Sequence, residues 1–129
     1  MWTAQTWTAG TPGGRANGGV GRGERVSIST HVLDAARGRP AAGVPVRLER
    51  RDGDGWRAVA DGQTDADGRL AGWPAAPGVH RLVFDTGTYL GPDAFYPEVV
   101  VTFRIGDAGQ RYHVPVLLSP FAYSTYRGS

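Results

Sequence analysis

With 129 residues, no cysteine and a formal net charge of +2, the chain has room for one domain with its own core and cannot build a disulfide framework or a thiolate centre. All 14 basic residues are arginine; three of them and one glutamate fall in residues 1–25, which leaves 11 arginines against 11 Asp and Glu in residues 26–129. That electrical balance argues against a nucleic-acid binder, and no stretch reaches the ~18 consecutive apolar residues of a membrane span.

Residues 1–25 contain seven Gly, with Trp2 and Trp7 as the main apolar content. Such a segment cannot bury a core and is expected to be a disordered leader to a domain covering residues 26–129. It lacks the apolar stretch of a secretory signal, and the last residues match neither a peroxisomal nor an ER-retention signal, so a cytoplasmic location is the expectation.

From residue 26 onward strands alternate with turn residues. "VSISTHVLD" (26–34) reads as a strand and "RGRPAAG" (37–43) as a loop. "VPVRLERR" (44–51) and "WRAVADGQT" (56–64) flank "DGDG", a hairpin signal, and "DADGR" (65–69) is a second turn. "VHRLVFD" (79–85) is the next strand, and "TGTYLGPDAFYP" (86–97) has room for one short helix. "EVVVTFRI" (98–105), "RYHVPVLLS" (111–119) and "FAYSTY" (121–126) complete the series, with "GDAG" turning between the first two. Sustained helical periodicity is absent, so the chain reads as an all-β sandwich.

Side chains alternate between faces along a strand. Val26, Ile28, Thr30 and Val32 therefore share one face, and Ser27, Ser29, His31 and Leu33 the other. Tyr112, Val114, Val116 and Leu118 oppose Arg111, His113, Pro115 and Leu117; Phe121, Tyr123 and Thr125 oppose Ala122, Ser124 and Tyr126. The first set of each strand suits the core. The second sets mix histidines with leucines, whereas a solvated face would be charged and polar. Such a face is expected to be covered, most simply by a second copy of the chain, and its two histidines form a candidate active site.

"STHVLDAARGRPA" (29–41), "TDADGR" (64–69) and "YHVPVLLSPFAYSTYRGS" (112–129) resemble the transthyretin-related family, specifically its 5-hydroxyisourate hydrolases. The resemblance spans residues 26–129; the final "YRGS" and the His in "STHVLD" separate the hydrolases from the hormone carriers of the same fold. It implies an eight-stranded transthyretin-like β-sandwich with one short helix, assembled as a homotetramer with sites in the channel between dimers. It also implies cofactor-free and metal-free hydrolysis of 5-hydroxyisourate, the product of urate oxidation. Carried over position by position, it marks His31, Arg69, His113 and Ser129 as catalytic, and His31, Arg69 and Tyr126 as substrate-binding. Arg111 stands where the family commonly has a further His. On the same face as His113, it is expected to change the pocket rim and to lower the His113 pKa by like-charge repulsion.

These residue types suit the chemistry. An imidazole titrating near about 6.5 can activate water and pass a proton at neutral pH, although the sequence does not distinguish which of the two is the base. A planar guanidinium at Arg69 can bind a carbonyl-rich ring and stabilise oxyanion charge. Tyr126 can pack against the ring, Ser129 can hydrogen-bond within the site, and Gly128 lets the last residues turn; a neighbouring subunit is expected to pin this segment. The alternatives are a non-catalytic transthyretin-like binding protein, a carbohydrate-binding sandwich using Trp56 and Trp73, which otherwise would cap the sandwich, and a zinc site that recruits His80.

Overall fold

The computed structural model describes residues 26–106 and 109–129; the expected leader, residues 1–25, lies outside them. Two sheets face each other. The first contains β1 (Val26–Asp34), the two-residue β2 (Arg39–Pro40), β5 (Arg69–Ala75), β8 (Arg111–Leu118) and β9 (Tyr123–Thr125). The second contains β3 (Pro45–Asp52), β4 (Gly55–Gln63), β6 (Gly78–Phe84) and β7 (Val99–Ile105), in the order β4-β3-β6-β7. One short helix, α1 (Thr86–Leu90), follows β6. Apart from the short β2, this is the expected eight-stranded sandwich.

Alternation does what parity requires in β1 and β8. Ile28, Thr30 and Val32 are buried with Tyr112, Val114, Val116 and Leu118, against Val46, Leu48, Leu82 and Phe84 of the second sheet. Each fully buried aliphatic or aromatic side chain contributes roughly 1.5–3 kcal/mol. The outward set of β1, from Ser27 to Leu33, is only half-buried. β1 and β8 run parallel, with Ser29 opposite His113 and His31 opposite Pro115.

Three expectations need correcting. Residues 69–75 show no strand signal because Gly72 takes a positive φ of 84° and Pro74 interrupts the run, yet they form β5. A proline lacks the ladder donor and is tolerated because β5 is an edge strand that, among the described residues, pairs with β1 alone. Second, Phe121 and Tyr123 do not enter the core; Phe121 is 74% exposed. β9 is the other edge, and an apolar hollow bordered by Val101, Phe103, Val114 and Thr125 leaves the sandwich open there. Third, Trp73 does pack on the core, but Trp56 lies under the guanidinium groups of Arg51 and Arg81 rather than capping the sandwich.

Two local devices hold β1. The Tyr89 hydroxyl of α1 donates to buried Asp34 Oδ2 at 2.7 Å, which ties the helix to the end of the strand. At the other device, the turn before β5, Asp65 Oδ1 accepts from the main-chain N–H groups of Asp67 and Arg69, both at 2.9 Å. Gly68 closes the turn at φ +77°, and its carbonyl accepts from Val32 N at 2.8 Å. A Cβ on Gly68 would collide with the Val32 carbonyl oxygen. Gly68→Ala therefore combines a left-handed backbone with a main-chain clash. It is expected to cost about 2–3 kcal/mol in urea denaturation, and an unchanged midpoint would refute this account of the turn.

Candidate active site

The outward face of the β5-β1-β8 strip carries the candidate side chains. Antiparallel pairing puts Arg69 directly opposite His31, and parallel pairing puts His113 opposite Ser29. Two positions along a strand and one strand across separate the two histidines, roughly 8 Å between Cα atoms at ordinary strand spacings. A cleft of about 250 Å³ opens beside His113, with Ser29, Arg69, Arg111 and Ser129 also in its lining; His31 does not line it but pairs with Arg69, which does.

The Asp65–Gly68 turn sets both the cation and the first histidine. It starts β5 at Arg69, and it aims the Asp67 carbonyl at His31 Nε2, 3.0 Å away. A carbonyl only accepts, so Nε2 of His31 carries the proton in this contact. The Asp65 carboxyl is held below the usual range first by the Arg69 main-chain N–H; burial opposes this, and the Asp67 N–H and the charges of Arg69 and His31 add to the lowering.

His113 is clamped on two sides. Its Nδ1 lies 2.8 Å from Ser29 Oγ. Its Cδ2 edge rests against Gly128, where a Cβ would come within 2.5 Å. The segment 126–129 folds back along β8: Gly128 N donates to the His113 carbonyl at 2.8 Å, Arg127 donates to Gln110 Oε1 at 2.9 Å, and its guanidinium sits 4.7 Å over the Tyr112 ring. These bonds are made within one chain. They bring Ser129 into the cleft.

Burial lowers the His113 pKa from its ordinary 6.5, the positive charges of His31 and Arg69 lower it further, and a hydrogen bond to Ser29 opposes them. The like-charge effect expected from Arg111 comes instead from Arg69 and His31. Arg111 lines the cleft as a rim residue, but it is exposed and water screens it.

His31, Arg69, His113 and Ser129 thus share one neighbourhood. Tyr126 does not line this cleft: it is 60% exposed and borders the adjacent apolar hollow, which His113 also touches. His80 belongs to the other sheet, buried, with Nδ1 3.2 Å from the Gly78 carbonyl and the ring stacked on Phe103. Among the described residues no group of three His, Cys, Asp or Glu could hold a metal ion, and no helix is long and apolar enough to cross a membrane. Ser29 and the Asp67 carbonyl escaped sequence reasoning. Parity puts Ser29 on the right face, but only the β1–β8 register shows which ring it meets.

Comparison with known proteins places the chain in a family. A model of the HIUase/Transthyretin family matches residues 28–128. A 5-hydroxyisourate hydrolase of Salmonella dublin is 49% identical over 109 residues, 79% of this chain and 80% of that protein. The structure of Klebsiella pneumoniae 5-hydroxyisourate hydrolase superposes with a TM-score of 0.72 at 34% identity, over 81% of this chain and 99% of that one. Sea bream transthyretin in complex with thyroxine gives 0.73 at 32% identity, over 78% and 93%. An (S)-allantoin synthase matches 81% of this chain at a TM-score of 0.72 and 32% identity, but the match spans only 44% of that longer protein. With nearly all of its described length matched, the chain belongs to the HIUase/transthyretin family.

Proposed function

We propose that the chain is a 5-hydroxyisourate hydrolase that opens the lactam of its substrate without a cofactor, working as a homotetramer in the cytoplasm. The observation that carries the reading is the convergence of Arg69, His113 and Ser129 on one cleft, with His31 beside it as the register partner of Arg69, in a chain 49% identical to a hydrolase of that name. A transthyretin-like carrier would have no use for two imidazoles and a guanidinium around a polar cleft. The tetramer is supported by the outward face of β1 and β8, where Leu33 and Leu117 are half-buried in the single chain, and by exposed Phe95, Phe121 and Tyr123.

In the reaction, the oxygen of water bonds to the lactam carbonyl carbon, the ring C–N bond breaks, and the departing nitrogen takes up a proton. The product is a ureido-imidazoline carboxylate, 2-oxo-4-hydroxy-4-carboxy-5-ureidoimidazoline. The histidine pair takes the proton from water and returns one to nitrogen. The Arg69 guanidinium stabilises the charge that develops on the carbonyl oxygen, and Arg111 at the rim attracts an electron-rich heterocycle. Ser129 hydrogen-bonds within the cleft, and Tyr126 closes over the ring of the substrate from beyond His113.

The deciding assay follows ultraviolet decay of freshly made 5-hydroxyisourate with and without the protein. The expected result is decay well above the spontaneous rate, and a loss of about 10²–10⁴-fold in kcat for His113→Ala; decay at the spontaneous rate refutes the proposal. For pH, the sign follows from the neutral ring acting as base. A lowered pKa keeps His113 neutral further into acid, so the acid limb of kcat/KM should lie below pH 6.5, and Arg69→Gln should move it upward; a limb above that value would be inconsistent. Gly128→Ala should displace the ring that its Cβ would meet at 2.5 Å. It is expected to lower kcat about tenfold or more at unchanged thermal stability, and full activity would show that the tail does not position His113.

A further inference from the structure

On the reading that this cleft hydrolyses 5-hydroxyisourate, we infer that Ser29 is a positioning residue that holds His113 in the Nδ1–H tautomer, leaving Nε2 as the base that takes the proton from water. Ser29 and His113 are register partners across the parallel β1–β8 pair, 84 residues apart in sequence, with Oγ and Nδ1 2.8 Å apart. A hydroxyl can donate or accept, so this contact alone leaves the tautomer undetermined. The surroundings decide it. The rest of the ring faces a cleft lined by the Arg69 and Arg111 guanidinium groups, and towards cations a ring nitrogen presents its lone pair more favourably than an N–H. Nδ1 therefore carries the hydrogen and donates it to Ser29 Oγ.

The opposite edge of the ring is closed by Gly128 against Cδ2. With Nδ1 taken by Ser29 and Cδ2 by the returning tail, only the Cε1–Nε2 edge is left for the cleft that His113 lines with Arg69, Arg111 and Ser129. His31 is held in the other sense. Its Nε2–H is committed to the Asp67 carbonyl at 3.0 Å, so this nitrogen has no free lone pair to offer a water molecule. The two histidines thus divide the work: His113 accepts the proton, and His31, held by the Asp67 carbonyl beside Arg69, orients the substrate. The step balances, because the proton leaves water for His113 Nε2 as the water oxygen bonds to the carbonyl carbon, and it passes to the departing ring nitrogen as the C–N bond breaks.

The test pairs nitrogen-15 NMR of the imidazoles in the full-length protein with steady-state kinetics on freshly made 5-hydroxyisourate. In the unaltered protein above the His113 pKa, His113 should show a protonated Nδ1 and an unprotonated Nε2. Ser29→Ala should shift that ring towards Nε2–H and lower kcat by about 10- to 100-fold, within the range of general-base catalysis, with KM changed less than about threefold. Ser29→Thr, which keeps a hydroxyl at the same reach, should recover most of the loss, an outcome a purely structural role for Ser29 does not predict. An Nε2–H tautomer in the unaltered protein, or a Ser29→Ala variant with the tautomer and kcat unchanged, overturns the inference. If the unaltered protein fails to hydrolyse 5-hydroxyisourate, the proposed function falls, and the NMR tautomers still decide what Ser29 does.

Discussion

The parallel pairing of β1 with β8 is the constraint from which the rest of the site follows. Its register puts Ser29 against His113 and His31 against Pro115, with every core residue of both strands facing the second sheet. A slip of one residue would turn Ile28 and Val32 outward and bury His31, so the hydrophobic pattern itself locks the histidines in place. The site needs no separate source of rigidity. The core that holds the sandwich together also fixes the spacing of the imidazoles.

Everything else in the cleft is attached to the two free sides of that pair. On one side the Asp65–Gly68 turn feeds β5 into register so that Arg69 faces His31. On the other, the returning tail bonds to the His113 carbonyl and carries Ser129 into the cleft. Both attachments depend on a glycine at a point of close approach, Gly68 over the Val32 carbonyl and Gly128 over the His113 ring. The result is that burial first, and the charges of His31 and Arg69 next, lower the His113 pKa and favour its neutral ring.

How much of this could be read from the chain depends on the range of the interaction. Alternation in "VSISTHVLD" and "RYHVPVLLS" is a local property, and it separated Ile28 from His31 and Val114 from His113 correctly. The "DADGR" turn is likewise local, since Asp65 satisfies N–H groups two and four residues away. Strand β5 escaped because Gly72 and Pro74 erase its alternation, and its existence is owed to β1 rather than to its own residues. Phe121 and Tyr123 read as core residues because an apolar residue at or next to an edge strand has the same local pattern as one on a central strand. Ser29 was invisible as a partner of His113 because parallel register between strands 84 residues apart leaves no mark in either segment. The roles drawn from "YRGS" rested on resemblance, and the single chain separates its members, with Ser129 at the cleft and Tyr126 beside it.

The division between inward and outward residues also explains how one sandwich can serve both a hydrolase and a thyroxine-bound transthyretin. Stability resides in Ile28, Val32, Val114, Val116 and their partners across the interior, all of which point away from the cleft. Ser29, His31, Arg69, Arg111 and His113 are exposed or half-buried and can be exchanged without opening a cavity in the core. Fold likeness therefore carries little information about activity here. The informative feature is whether the outward positions hold a set of groups whose protons and charges fit together. In this chain they do, because each histidine has one nitrogen committed to a protein oxygen and a guanidinium standing by.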